Sequence, residues 1–389
     1  MRVCGIIAEY DPFHKGHAYH LARAREISGA DYVVCVLSTA FTQRGTPSFF
    51  STADRAKMAV QGGADAVFSL PVAFSVMEAD RFARGGVGVL KGLGTVTHLA
   101  FGCEDASSFS LLEACADALE SPDEALEALY LEALSQGESP ARARASALEK
   151  TLSLPPGLLK KPNNVLALCY LHQLRRQHAP FTPVPVQRLG QRDDQETDGF
   201  LSSSVLRRMI QDGEAEKAFA HLPCPDAARE ALREGRFCLP DALDQAALYA
   251  LLTAESLCAY SSLQDGLPDR VAKYLPAAAS LDALVGFCSS RRYTRSGIRR
   301  FAAQALLRLP REGLLDLPGY TRLLAFREEA RPLLAAVKQN ASIPVVAKAA
   351  DHAELLSDDI RAEDIRNLGC KCRTPLLRQS PYHFRRNQP

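Results

Sequence analysis

Three things are scarce in this 389-residue chain, and each scarcity removes a class of function. Net charge is nearly absent: 46 basic residues stand against 45 acidic ones, so no global field draws the chain to nucleic acid and any such partner must be met by a local patch. Long apolar runs are missing. None reaches the length of a membrane span, and Met1-Arg2-Val3 leads straight into a strand-like segment without a signal sequence, which predicts a cytoplasmic protein with no membrane partner. Paired cysteines are the third scarcity. Of eleven cysteines only Cys370 and Cys372 are near neighbours, and no second pair completes a zinc-like set of four, so core thiols are expected and a structural metal is not.

The apolar content, 47%, is enough for two ordinary domains. Apolar runs at residues 3–8, 32–37, 66–70 and 98–101 read as strands, with helical patterns between them past Leu21 and Ile27, over 53–61 and over 78–93. Runs without polar alternation, separated by helices, predict a parallel sheet covered on both faces: an α/β, Rossmann-like doubly wound domain. Ligands of such sheets bind beyond the carboxyl ends of the strands. From about 106 to 180 the strand signal gives way to a helical insertion, followed by a fifth strand at 184–188. Residues 1–215 are thus expected to form the sheet domain and 216–389 a mainly α-helical one.

The stretch Glu9-Tyr10-Asp11-Pro12-Phe13-His14-Lys15-Gly16-His17 falls at the turn from the first strand into the first helix. His14 and His17, three apart, share a helix face and can aim at one point; Gly16 adds no Cβ to block it, and Pro12 sets the chain direction. Free N–H groups at the helix start favour an anion there. Two histidines at a helix start also read simply as caps. The 38–47 loop, carrying Arg44, reads equally as a binding loop or a solvated turn. Asn163 and Asn164, in Lys160-Lys161-Pro162-Asn163-Asn164, are natural caps that could also meet a ligand. Leu201-Ser202-Ser203-Ser204-Val205-Leu206-Arg207 alone is a serine-rich cap. Opposite a histidine pair it acquires a mechanism, in which Ser203, Ser204 and Arg207 close over the outer phosphates whose inner ones the histidines hold.

These two motifs resemble the HxGH nucleotidyltransferase superfamily. Longer stretches narrow the likeness: Phe41-Thr42-Gln43-Arg44-Gly45-Thr46-Pro47, Ala79-Asp80-Arg81-Phe82-Ala83, Phe101-Gly102-Cys103-Glu104, Pro162-Asn163-Asn164-Val165-Leu166 and Asp359-Ile360-Arg361-Ala362 are similar to the bacterial tRNA(Met) cytidine acetate ligase family. Arg292-Tyr293-Thr294, Arg322-Leu323-Leu324 and Ile343-Pro344-Val345 extend the resemblance to nearly the whole chain. It implies that ATP and free acetate give acetyl-adenylate, and that the acetyl group passes to the wobble cytidine of elongator tRNA(Met), forming N(4)-acetylcytidine. It further implies ATP contacts at Ile7, Ala8, Glu9, Tyr10, Pro12, Phe13, His14, Gly16, His17 and His20, and at Gly102, Asn163 (or Asn164) and Arg188. His14, His17, Ser203, Ser204 and Arg207 would serve catalysis. Mg2+ is expected on the ATP phosphates, since the sequence displays no dedicated carboxylate cage. In one departure, the family's Tyr-His-Asp segment after the arginine is replaced here by Leu189-Gly190-Gln191-Arg192-Asp193-Asp194.

In the helical half, residues 291–300 hold five arginines, a tyrosine and no acid. Guanidinium groups suit phosphates and an aromatic suits an unstacked base, so Arg291, Arg292, Tyr293, Arg295 and Arg299 are the expected tRNA contacts. Two other classes stay open at this point: a small-molecule nucleotidyltransferase, disfavoured by the long helical half, and a non-catalytic RNA-binding protein, disfavoured by the intact histidine motif.

Overall fold

The structure, a computed structural model, describes residues 1–104, 106–188, 200–260, 266–312 and 315–385. Strands β1 (Val3–Ala8), β2 (Tyr32–Ser38) and β3 (Ala66–Leu70) alternate with helices α1 (Lys15–Ser28), α2 (Thr52–Gln61) and α3 (Ala79–Gly92). β4 (His98–Cys103) follows, and β5 (Thr182–Gln187) comes after the insertion. These five strands are parallel, in the order β5-β4-β1-β2-β3. Successive residues of β1 belong to opposite cores: Val3 and Ile7 pack with the layer containing α3, Cys4 and Ile6 with the layer containing α1 and α2. Burial on both faces explains the unbroken apolar runs.

The insertion contains α4 (Phe109–Glu120), α5 (Glu124–Ser135), α6 (Pro140–Thr151) and α7 (Pro162–Arg176). The helical pattern over 111–134 forms two helices, because Pro122 interrupts it and the Asp123 carboxylate caps the second through Leu126 N–H, 2.8 Å. α8 (Ser203–Gln211) follows and packs with α1 against the sheet, and the largely helical second half includes α9 (Arg295–Leu306) and α10 (Ser357–Leu368).

That half also returns to the sheet. β6 (Thr321–Arg327) pairs antiparallel with β3 and carries β7 (Val345–Val346) and β8 (Tyr382–Phe384) on its other edge. No strand was expected there, because one short run among helices has no partner in its own neighbourhood; the free edge of β3 supplies it. No helix among the described residues is long and apolar enough to cross a membrane.

Candidate active site

The site is built on the turn from β1 to α1. His14 caps α1, its Nδ1 accepting the Gly16 N–H at 3.1 Å, while His17 Nδ1 accepts the His14 N–H at 3.3 Å. A neutral imidazole whose Nδ1 accepts carries its proton on Nε2, so the hydrogen bonds assign both rings the same tautomer and leave two Nε2–H donors. The rings stack, centroids 3.8 Å apart at 25°. Two imidazolium charges at that spacing would repel by about 4 kcal/mol at an effective dielectric of roughly 20. Burial, then the charges of Arg188 and His221, lowers His14 to about 4. Burial, then His14, His20 and Arg188, holds His17 well below the usual histidine value. His20, one turn further along α1, is lowered by burial to about 4, and its Nε2 has no hydrogen-bond partner among the described residues.

Gly16 has a packing role beside the expected one. A Cβ there would stand 2.9 Å from His14 Cε1 and 3.1 Å from its Nδ1, so the glycine makes room for the capping ring itself. Tyr10 and Phe13 turn their side chains inward. Their rings are buried, Phe13 filling the space a Cβ at Gly62 would take and Tyr10 standing 4.7 Å from the His17 ring. They form the floor under the histidines, and only their backbones remain for a nucleotide. Ile7 likewise packs into the core, with Ala8 and Glu9 half-buried beyond it.

The serine-arginine segment grips this turn. Ser203 Oγ donates to the Pro12 carbonyl at 3.3 Å; the Arg207 guanidinium donates to the Asp11 carbonyl and lies 3.6 Å from its carboxylate. Ser202 caps α8 through Val205 N–H, and Ser204 is half-buried on its first turn. The segment thus meets the histidine turn directly, with Ser203 and Arg207 engaged by its backbone oxygens. Asp11 is held in turn by the N–H groups of Phe49 and Phe50, at 3.0 and 3.2 Å.

On the β4 side, a Cβ at Gly102 would meet nothing within 4 Å, leaving the strand end open. Glu104 organises this edge, although only its neighbour Gly102 was expected in the site. Its Oε1 accepts from Asn163 Nδ2 at 2.9 Å and lies 3.5 Å from an Arg188 guanidinium nitrogen. The two asparagines separate clearly. Asn164 is fully buried, accepting from Glu104 N–H at 3.0 Å and donating to the Leu158 carbonyl at 3.1 Å, whereas half-buried Asn163 reaches the sheet edge. Residues 189–194, where the sequence departs from the family, lie outside the described residues.

The 38–47 loop is a packed bridge. Gln43 N–H donates to Glu9 Oε1 at 2.6 Å, and the Gln43 carbonyl accepts from Arg300 at 3.1 Å. Burial raises the Glu9 carboxyl above its usual range, and the Gln43 N–H opposes that shift. Gly45 has φ +76°, and a Cβ there would come 2.4 Å from the backbone nitrogen of Arg300. Beneath the loop lies fully buried Arg55, which donates to the carbonyls of Glu9, Thr39 and Phe50. From α10, Asp359 accepts from Val72 N–H at 2.8 Å, and Arg366 donates to the carbonyls of Ser48 and Phe49, both at 2.8 Å. Nothing in the local sequence marks Arg55 or Arg366; long-range backbone contacts alone give them this position.

The basic segment is less open than its sequence implied. Tyr293 is buried in the helical core, so its ring is not available to stack on a base. Arg295 and Arg299 both reach Asp282 Oδ1, at 2.6 and 2.8 Å, and Arg300 is committed to Gln43. Arg291 and Arg295 are exposed, with Arg292 half-buried beside them. Among the described residues no group of three or more histidine, cysteine or acidic side chains could hold a metal ion.

Comparison with known proteins places this site in context. The HIGH Nucleotidyl Transferase family model matches residues 1–378. The tRNA(Met) cytidine acetate ligase of Acetivibrio thermocellus is 31% identical over 371 residues, spanning 90% of this chain and 89% of its own. That of Clostridium kluyveri is 32% identical over 384 residues, 93% of each. Thermotoga maritima TmcAL bound with alpha-thio ATP matches with a TM-score of 0.89 at 25% identity, covering 99% of this chain and 100% of that one.

Proposed function

The chain belongs to the tRNA(Met) cytidine acetate ligase family of HIGH nucleotidyltransferases, and from that premise we propose that it activates acetate with ATP and acetylates the wobble cytidine of elongator tRNA(Met). The observation that supports the chemistry best is the pair of neutral, capped imidazoles, whose Nε2–H groups are fixed before any substrate arrives.

ATP lies with its phosphates over the start of α1. His14 and His17 donate to the α- and β-phosphate oxygens, Arg188 adds positive charge beside them, and Gly102 and Asn163 border the remainder of the nucleotide. An acetate oxygen attacks the α-phosphorus, the bond to the β-phosphate bridging oxygen breaks, and pyrophosphate leaves as acetyl-adenylate forms. The N4 amine of cytidine then attacks the acetyl carbonyl and AMP departs. No protein nucleophile is needed; the protein positions the reactants and stabilises charge on the reacting oxygens. Ser203 and Arg207 hold the turn that carries the histidines, and Ser204 lies next to them where the pyrophosphate leaves. Mg2+, on this reading, would arrive with ATP and be held mainly by its phosphates, since no carboxylate cage stands among the described residues. The Arg291, Arg292 and Arg295 face meets the tRNA backbone, with Arg299 supporting it through Asp282.

ATP–pyrophosphate exchange with and without acetate tests the first half-reaction, and mass analysis of nucleosides from tRNA incubated with ATP and labelled acetate tests the second. Exchange that ignores acetate would exclude the ligase in favour of another nucleotidyl transfer. No exchange at all would leave an RNA-binding protein.

A further inference from the structure

All eleven cysteines are free thiols, and two of them meet where the second half of the chain supports the histidine turn. Cys238 is fully buried next to the bridge between Phe237 and Phe50, and its N–H donates to the Phe49 carbonyl at 2.8 Å. Cys370, half-buried, lies just past the end of α10. The two thiols share a side-chain hydrogen bond. Gly369 makes this approach possible, since a Cβ there would come 2.5 Å from Cys238 Sγ. An Arg366 guanidinium nitrogen stands 3.5 Å from Cys370 Sγ.

The surroundings set the two sulfurs apart. The hydrogen bond from Cys238, opposed by partial burial and helped by the charge of Arg366, holds the Cys370 thiol below its usual range, while the same contact and burial push Cys238 up. Cys4, Cys35, Cys115 and Cys169 are also pushed up by burial, as inert core thiols are. A half-buried sulfur that gives up its proton readily, next to a buried thiol, is the arrangement of a reactive cysteine and its resolving partner. The sequence neighbour Cys372 is exposed, and its N–H donates to the Gly235 carbonyl at 3.0 Å.

We propose that Cys370 and Cys238 form an oxidative modification site whose substrate is hydrogen peroxide. The Cys370 sulfur attacks a peroxide oxygen, the O–O bond breaks, and the released hydroxide takes up the thiol proton and leaves as water. Cys238 Sγ then attacks the sulfenic acid sulfur: an S–S bond forms, the S–O bond breaks, and the Cys238 proton leaves with the hydroxyl as a second water. Two thiols are oxidised and one peroxide is reduced. The bond bears on the nucleotide site because both cysteines belong to its support. Arg366 donates to the Ser48 and Phe49 carbonyls, and the N–H groups of Phe49 and Phe50 hold Asp11 in the histidine turn. Bringing the sulfurs to about 2 Å draws Cys370 from Arg366 and pulls on the segment at Phe49.

The test treats the full chain with hydrogen peroxide, blocks the remaining thiols and maps disulfides in non-reduced peptides. A peptide pair joining Cys238 to Cys370 is expected, reversed by dithiothreitol. Cys370→Ser should abolish it, while Cys238→Ser should leave a sulfenic acid on Cys370 that dimedone traps. Cys372→Ser should form the bond like the wild type. Acetate-dependent ATP–pyrophosphate exchange, a readout that rests on the acetate-ligase reading, should fall several-fold on oxidation and recover with dithiothreitol, and Cys370→Ser should resist the loss. An unmodified Cys370, or a bond from it to Cys372, would overturn the proposal; a Cys238–Cys370 bond that leaves exchange unchanged would overturn its link to the nucleotide site. Wild-type protein without acetate-dependent exchange would strike the ligase reading alone, since the peptide map is read without catalysis.

Discussion

Replacing His14 by asparagine separates its structural task from its chemical one. Asparagine is a good N-cap, and its Oδ1 can accept the Gly16 N–H that His14 Nδ1 accepts at 3.1 Å, but it has no group that titrates near neutrality. His14 is lowered from 6.5 to about 4 in the folded chain, chiefly by burial. A histidine lowered on folding binds fewer protons in the native state, so its contribution is fully present above pH 6.5 and is lost as pH falls toward 4. Between pH 7.5 and 5 that loss amounts to about 2 kcal/mol for this one ring. Urea unfolding at the two pH values should therefore show the His14→Asn protein losing about 2 kcal/mol less than the wild type on acidification. At pH 7.5 its acetate-dependent exchange should fall on the order of 100-fold or more, because the donor proposed for the α-phosphate is gone. Equal pH dependence in the two proteins would refute the claim that His14 is held neutral. A wild-type exchange rate with a midpoint near 6.5 would do the same, since the neutral rings should give no histidine inflection down to about pH 5.5.

Gly16→Ala should leave global stability nearly unchanged, helix propensity offsetting part of the lost cap. Exchange should fall on the order of 100-fold as the Cβ displaces the His14 ring, and crystallography of the variant would show the shift. Asn164→Ala should destabilise the fold by about 1–3 kcal/mol in urea melts, because it strands the Glu104 N–H and the Leu158 carbonyl. Asn163→Ala should melt like the wild type while raising the KM for ATP. Arg207→Lys, too short to serve both Asp11 oxygens, should slow exchange with little loss of stability; wild-type exchange rates would remove Arg207 from the site. Arg291→Ala/Arg295→Ala should weaken tRNA acetylation more than exchange, and equal losses in both assays would count against a tRNA role for that face.

Local pattern made much of the molecule legible. β1 to β4 announce themselves because strands covered on both faces need unbroken apolar runs, and α1 because its capping residues stand beside a glycine; β5, an edge strand with only Val184 and Val186 buried, is marked by those two valines. The histidine motif is readable for the same reason: its two rings and two backbone N–H groups lie within four residues, and its hydrogen bonds close on themselves. β6 was not legible, since what makes it a strand is the edge of β3, some 250 residues away in the chain. Tyr293 looked like a surface aromatic because its neighbours are arginines; packing against the helical core, which sequence spacing does not reveal, turned it inward.

By itself, then, the sequence determined the architecture of the site: a parallel sheet whose first helix starts with two histidines, joined by a serine-arginine partner segment. The tertiary structure alone decided how that machinery is held. It set Ser203 and Arg207 on the backbone of the turn, chose Asn163 over Asn164 for the open edge, and made Glu104 the link between Asn163 and Arg188. It also tied Glu9 through Gln43 to Arg300 in the helical half. The physical reason is range. Strand burial and helix capping are settled within a few residues, whereas buried arginines and carboxylates find partners wherever the fold brings unpaired backbone groups to them.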